Sequence, residues 1–336
     1  MVMEEALASS IFFPQEVRFV LLWRHLKKHG SITEGKNIMS IESERMLKEL
    51  NKFLQEANPK DEADLNALMK QFNQMDHSRK PGDLDSYDLL EQAQYADTRE
   101  ERIRLAKKAM KMDPDNIEAE FMVRSGEAKD MDSLLSIYPE LIEKGFKILS
   151  KQGITRRKDK GEFYSLIETR PLMRIYLAYI QSLLNVGRFG KAMHICEEVL
   201  KLNENDNMGV RYILMSLYAF FEDTKKAEAL AERFEQEDCA FMLLPQLALC
   251  FKTEDYEKAD RLLSTLAEKI PGGRHAFKEL DDMEVEDILA MDPEYYEPYS
   301  VQEIELAYSE NYFLYDGMPD FLPWVIHRYP KMKRKC

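Results

Sequence analysis

The residues best equipped to hold a ligand cluster near the middle of the chain. Arg170, Arg174 and Arg211, with Glu168, surround one predicted helical hairpin. Two arginines at a helix start can grip a carboxylate or phosphate, because guanidinium donors come in pairs and the first helical turn has free N–H groups. The same charges can instead form an ion-pair network with Glu162, Glu168, Asp206 or a neighbouring acid. That structural role is the expected one, since paired charges occur at many sites that bind nothing.

Other chemistry fails on its spacing. His25 and His29 stand as in a zinc-protease helix, but Leu26 occupies the place of the required glutamate. Asn203 to Asn207 resembles a calcium loop, yet Met208 sits where the turn needs glycine and Leu214 where the bidentate glutamate belongs. Its side chains are expected to cap adjacent helix ends. The GRFGK segment from Gly187 to Lys191 lacks the spacing and hydroxyl of a phosphate loop. No G-x-S-x-G is present, and the six histidines are scattered. We therefore expect no catalytic residue, no metal ligand and no cofactor. An enzyme of a different class would have to use the acidic, aromatic C-terminal segment, where Asp281, Asp282, Glu284, Glu286 and Asp287 could hold a metal. A run of acids is more commonly a solvated face.

These residues must be positioned by helices. The chain has 336 residues, 45% hydrophobic and 32% charged, with only 13 glycines and 13 prolines and no alternating Val/Ile/Thr run. That composition is globular and favours helix throughout. A net charge of -14 repels a phosphate backbone, which argues against nucleic acid. The basic tail Lys331, Lys333, Arg334, Lys335 is the local exception and reads as a solvated terminus. Four cysteines without CxxC pairs suit a reducing, cytoplasmic setting. The opening residues lack the basic region of a signal peptide, and the apolar run Phe19 to Trp23 is too short to span a bilayer.

Along the chain, residues 1–38 fit the rest poorly, apart from a short amphipathic helix over 16–29. Met39 is the expected natural start, because the codons for Glu34, Gly35 and Lys36 can spell a ribosome-binding site. Residues 39–80 predict a helical pair, 40–57 and 61–75, followed by a linker at 77–85. Residues 81–272 predict hairpins: 87–96 with 100–112, 117–128 with 133–151, 170–186 with 189–202, 210–221 with 225–234, and 241–251 with 256–270. Pro139 and Pro245 should kink, break or delay their helices. A short helix is expected at 161–168, after the exposed charged loop 156–160. Beyond Pro271-Gly272-Gly273, residues 273–336 form an acidic, aromatic cap with helices at 301–314 and 319–328.

The hairpin from Arg170 to Asn207 resembles the tetratricopeptide repeat, a unit of about 34 residues. Tyr176 and Leu183 fall at its large positions, Gly187 and Phe189 at its turn, and Ala192 at the small crossing position. Ile180 and Glu204 depart from the pattern. The crossing alanines Ala192, Ala227 and Ala259 lie 35 and 32 residues apart. The segments Gly161 to Arg174 and Asn203 to Tyr212 are further similar to a group of uncharacterised bacterial tetratricopeptide proteins. The resemblance implies an all-α solenoid of helical hairpins used for protein interaction, and supplies no known activity.

In such an array the first helices line the concave face. That predicts Leu177, Gln181 and Leu184, then Tyr212, Ser216 and Phe220, then Leu244, Ala248 and Phe251 as partner-binding positions. The face is too apolar for the Lys/Asn clamp of chaperone-binding repeats. It suits an apolar helix of a partner or the chain's own C-terminal segment. The expected function is a non-enzymatic adaptor for a protein or peptide, with a peptide-sensing regulator as the alternative. No nucleic acid or membrane partner is expected.

Overall fold

The structure, a computed structural model, describes residues 41–75, 84–291 and 296–330. The expected N-terminal extension, the Met39 start, most of the predicted linker and the basic tail lie outside the described residues. Among the described residues the fold is all-α, with no strand and one isolated antiparallel bridge, Glu162 to Asn203. The chain separates into two compact units. One comprises 41–186 and 201–207, the other 187–200 and 208–330 of the described residues.

The first unit contains α1 (Ile41–Ala57), α2 (Glu62–Asn73), α3 (Ser86–Gln94), α4 (Arg99–Met112), α5 (Ile117–Glu127), α6 (Met131–Lys151) and α7 (Arg170–Asn185). Side-chain caps fix where most of them begin. Asp61, Asp85, Thr98, Asn116 and Asp130 each accept a backbone N–H from the first turn. From α3 to α7 each helix packs on the next, α1 packs on α3, and α5 also packs on α7. Gly145 permits the close approach of α6 to its neighbours: a Cβ there would press on Leu172 and Ile117. Pro139 lies inside α6 without ending it. Burial of Leu135, Tyr138, Leu141 and Ile142 on either side outweighs the one backbone hydrogen bond that proline removes. The helix expected at 161–168 is instead a set of turns closing in a 3-10 turn, Ile167–Thr169.

The second unit begins with α8 (Phe189–Leu202), whose last two residues fall to the first unit. It continues through α9 (Val210–Phe220), α10 (Thr224–Arg233), α11 (Ala240–Thr253) and α12 (Tyr256–Lys269). Residues 187, 222 and 254 all adopt a left-handed backbone, as Gly187, Glu222 and Glu254. Asp223 and Asp255 then cap α10 and α12 identically, accepting the N–H of Lys226 and Lys258. α9 packs on α10 and α11, and α11 packs on α12. Pro245 is tolerated inside α11, where Ala240 to Cys250 are all buried.

After the Pro-Gly-Gly stop the chain is more helical than its sequence suggests. α13 (Gly273–Asp282) and α14 (Val285–Leu289) precede α15 (Val301–Glu310), α16 (Tyr312–Tyr315) and α17 (Phe321–Arg328). α13 buries Ala276, Phe277 and Leu280, a stripe that packs against α15 and α17.

Candidate functional site

Six of the nine expected partner-binding residues belong to the second unit. Tyr212, Ser216 and Phe220 lie on α9; Leu244, Ala248 and Phe251 lie on α11. They do not form an open surface. Tyr212, Ser216, Leu244 and Ala248 are buried, and Phe220 and Phe251 are half-buried. α15 packs on α11, and α16 packs on both α9 and α11. Phe220 meets Phe313 at 5.9 Å between ring centroids, and Phe251 meets Phe321 at 5.8 Å and Trp324 at 5.2 Å. The chain's own C-terminal segment thus lies against α9 and α11 at these positions. The other three residues lie on α7 of the first unit. Leu177 is buried, while Gln181 and Leu184 are half-exposed, Gln181 donating to Asn185 Oδ1 at 2.9 Å.

Glu303 fastens the C-terminal segment to α11. It is buried, and its carboxylate accepts the N–H of Ala240, at the start of α11, and the N–H of Tyr299, both at 2.6 Å. Burial raises this carboxyl above the ordinary range, and the two N–H donors offset part of the rise. Glu303→Ala should therefore cost about 1–3 kcal/mol in urea unfolding, by leaving the buried Ala240 N–H and the part-buried Tyr299 N–H without this acceptor. The sign of the pH effect follows from the raised native value. As pH climbs from the unfolded carboxyl's range through the native one, the unfolded chain releases this proton first, so wild-type stability falls. The fall should be shallower in Glu303→Ala.

The arginines are divided between the units. Arg174, 8% exposed, is clasped by two acids of the first unit. Its Nε donates to Glu118 Oε1 at 2.5 Å and its Nη2 to Glu118 Oε2 at 2.7 Å. On its other side Nη1 and Nη2 donate to the carboxylate of Glu44, the latter bond at 2.9 Å. Burial works against the guanidinium charge, but Glu118 and Glu44 outweigh it and hold the group above its ordinary value. Burial also raises the Glu44 carboxyl, with Arg174 pulling the other way. Arg170 Nε donates to the Tyr164 carbonyl at 3.2 Å, and its guanidinium lies 5.2 Å from the Tyr164 ring centre. In the second unit, Arg211 Nη2 donates to the Tyr212 hydroxyl at 2.6 Å and to Glu237 at 3.0 Å. Tyr212 in turn donates to Glu237 at 3.0 Å. Arg174 thus has ion-pair partners, and the acids that clasp it, Glu118 and Glu44, are distant in the chain. Both share phase with an apolar stripe, Glu118 one turn before Phe121 and Met122, Glu44 one turn before Leu47. A charge in that phase is the one signal that could have found them.

The remaining reactive groups are quiet. Burial pushes the Cys239 thiol up to about 12 and the Cys250 thiol up to about 11, so neither is a thiolate at neutral pH. Asp281, Asp282, Glu284, Glu286 and Asp287 are all exposed. Among the described residues no three His, Cys, Asp or Glu side chains are grouped so as to hold a metal ion. In the Asn203 to Asn207 segment, Asn203 bridges to Glu162, and α9 starts after left-handed Gly209. Among the described residues no helix is long and apolar enough to cross a membrane.

No family model matches the chain, and no curated protein or solved structure is significantly similar to it.

Proposed function

We propose that this chain is a non-enzymatic adaptor of the tetratricopeptide kind, a stack of helical hairpins that holds a partner protein or peptide. One observation carries the reading. The left-handed turn residues at 187, 222 and 254 recur at intervals of 35 and 32. Five positions after each comes a buried alanine, Ala192, Ala227 and Ala259, at 0%, 2% and 0% exposure. A turn and a helix crossing repeated together are what a stacked hairpin repeat requires. The C-terminal helices then act as the cap that hides the last apolar face.

Of the proposed partner positions, Gln181 and Leu184 on α7, Phe220 on α9 and Phe251 on α11 keep partial exposure; Phe220 and Phe251 meet rings of the C-terminal helices, which leaves the two on α7 for the partner. The acidic charge disfavours nucleic acid as the partner. Affinity capture from the source cell tests this with wild type and Leu184→Glu, a half-exposed position whose change should leave the melting temperature nearly unaltered. The expected result is a partner held by wild type and lost from the variant. Identical capture by both proteins would contradict this placement of the surface.

A further inference from the structure

The ten residues from Lys151 to Lys160 hold five cations, Lys151, Arg156, Arg157, Lys158 and Lys160, against one acid, Asp159. They leave α6 and form a loop of defined turns in the first unit. The Ile154 N–H donates to the Leu149 carbonyl at 3.0 Å, which turns the chain back at the end of α6. Asp159 then closes the loop on itself. Its carboxylate accepts the Thr155 N–H at 2.8 Å, and its own N–H donates to the Thr155 carbonyl at 3.0 Å. The Thr155 hydroxyl accepts the Lys158 N–H at 3.2 Å, and the Arg156 guanidinium stands 3.7 Å from the centre of the Phe146 ring.

The loop's one carboxylate is thus engaged with the loop's own backbone. Lys151, Arg157, Lys158 and Lys160 are exposed and have no acidic partner among the described residues. The other basic run, Arg102 to Lys111 on α4, differs in this respect. There Arg104 pairs with Glu101 at 2.5 Å and Lys107 with Glu127 at 2.6 Å. Side chains already paired within the chain offer a partner little. Unpaired ones on a tied backbone present their charge without further ordering of that backbone.

We propose that this loop docks a short acidic segment of a partner protein, whose carboxylates pair with Lys151, Arg157, Lys158 and Lys160. Extent selects the partner. Duplex nucleic acid carries a charge about every 1.7 Å and runs on past the loop, and an anionic membrane spreads further still. Either would meet the field of a chain with net charge -14 within a Debye length of about 8 Å, and that repulsion offsets the gain at the loop. A short run of Asp and Glu ends where the cations end. The proposal rests on the adaptor reading, which makes the partner a protein. Its test changes this loop alone and leaves Leu184→Glu to judge the α7 surface.

The test is fluorescence anisotropy of labelled hexaglutamate titrated with the full chain, with labelled oligothymidylate as the second probe. Hexaglutamate should bind saturably at about 50 mM salt and weaken several-fold at about 200 mM, as exposed charge contacts do. The double variant Arg157→Glu with Lys158→Glu should lose about tenfold in affinity, since two attractions become two repulsions. Lys108→Glu with Lys111→Glu on α4 changes the net charge equally and should bind as wild type does. All four positions are exposed, so both double variants should keep the wild-type melting temperature. Absence of saturable hexaglutamate binding would overturn the proposal. So would wild-type affinity in the loop variant, or an equal loss in the two double variants. Tighter binding of oligothymidylate than of hexaglutamate would overturn the choice of an acidic peptide.

Discussion

Replacing Arg174 by alanine should lower the stability of the first unit by about 3–5 kcal/mol, the largest effect expected of any single polar change. The reason is the pair of acids left behind. Glu118 and Glu44 each direct both carboxylate oxygens at this guanidinium, and all three side chains are buried. Without the arginine two carboxylates remain in a low-dielectric interior, where each must be protonated or drag water inward. A triple replacement by apolar side chains of similar volume should recover much of the loss, since buried ion clusters contribute little beyond what good apolar packing would. Urea unfolding of the two variants measures both effects. A ligand-binding arginine would behave differently: its removal would leave the unfolding midpoint where it was.

Phe321→Ala should also cost about 3–5 kcal/mol, here in the second unit. Phe321 is fully buried, stacked on Tyr315 at 5.3 Å and edge-on to Phe251 at 5.8 Å. It therefore joins α17 to α16 and to α11 in one aromatic cluster. Truncation removes apolar contact from all three and leaves a void that rigid helices cannot close. If the C-terminal helices are part of the core, denaturation should remain a single transition at lower denaturant, and the Cys250 thiol should become reactive earlier in it. A loss of under 1 kcal/mol would mean that the segment rests loosely on α11.

The helices were largely legible in the sequence because their boundaries are local. Asp61, Asp85, Thr98, Asn116, Asp130, Asp223 and Asp255 mark helix starts through bonds spanning two or three residues, and such chemistry is visible in a short window. Pro139 and Pro245 lie inside α6 and α11 without ending them, for the complementary reason. A proline's cost is local, but the burial that offsets it comes from helices elsewhere in the chain. α13 was hidden by its composition, since GRHAFKELDD has only three apolar residues in phase, Ala276, Phe277 and Leu280, and follows a strong stop. The pairings around the arginines were the least readable. Arg174 reaches 56 residues back to Glu118 and 130 back to Glu44. No spacing rule connects positions so far apart. Likewise, an apolar first-helix face announces that something covers it without saying that α15 and α16 of the same chain do so.

The central structural claim is that α9 and α11 are interior, covered by the chain's own C-terminal helices. Hydroxyl-radical footprinting of the intact protein tests it most directly. Met215 on α9 and Met242 on α11 are at 0% and 1% exposure, while Met112 is 55% exposed. Met112 should oxidise at the rate of a free methionine, with Met215 and Met242 protected until the protein unfolds. Oxidation of Met215 and Met242 at the rate of Met112 in the folded protein would contradict the account.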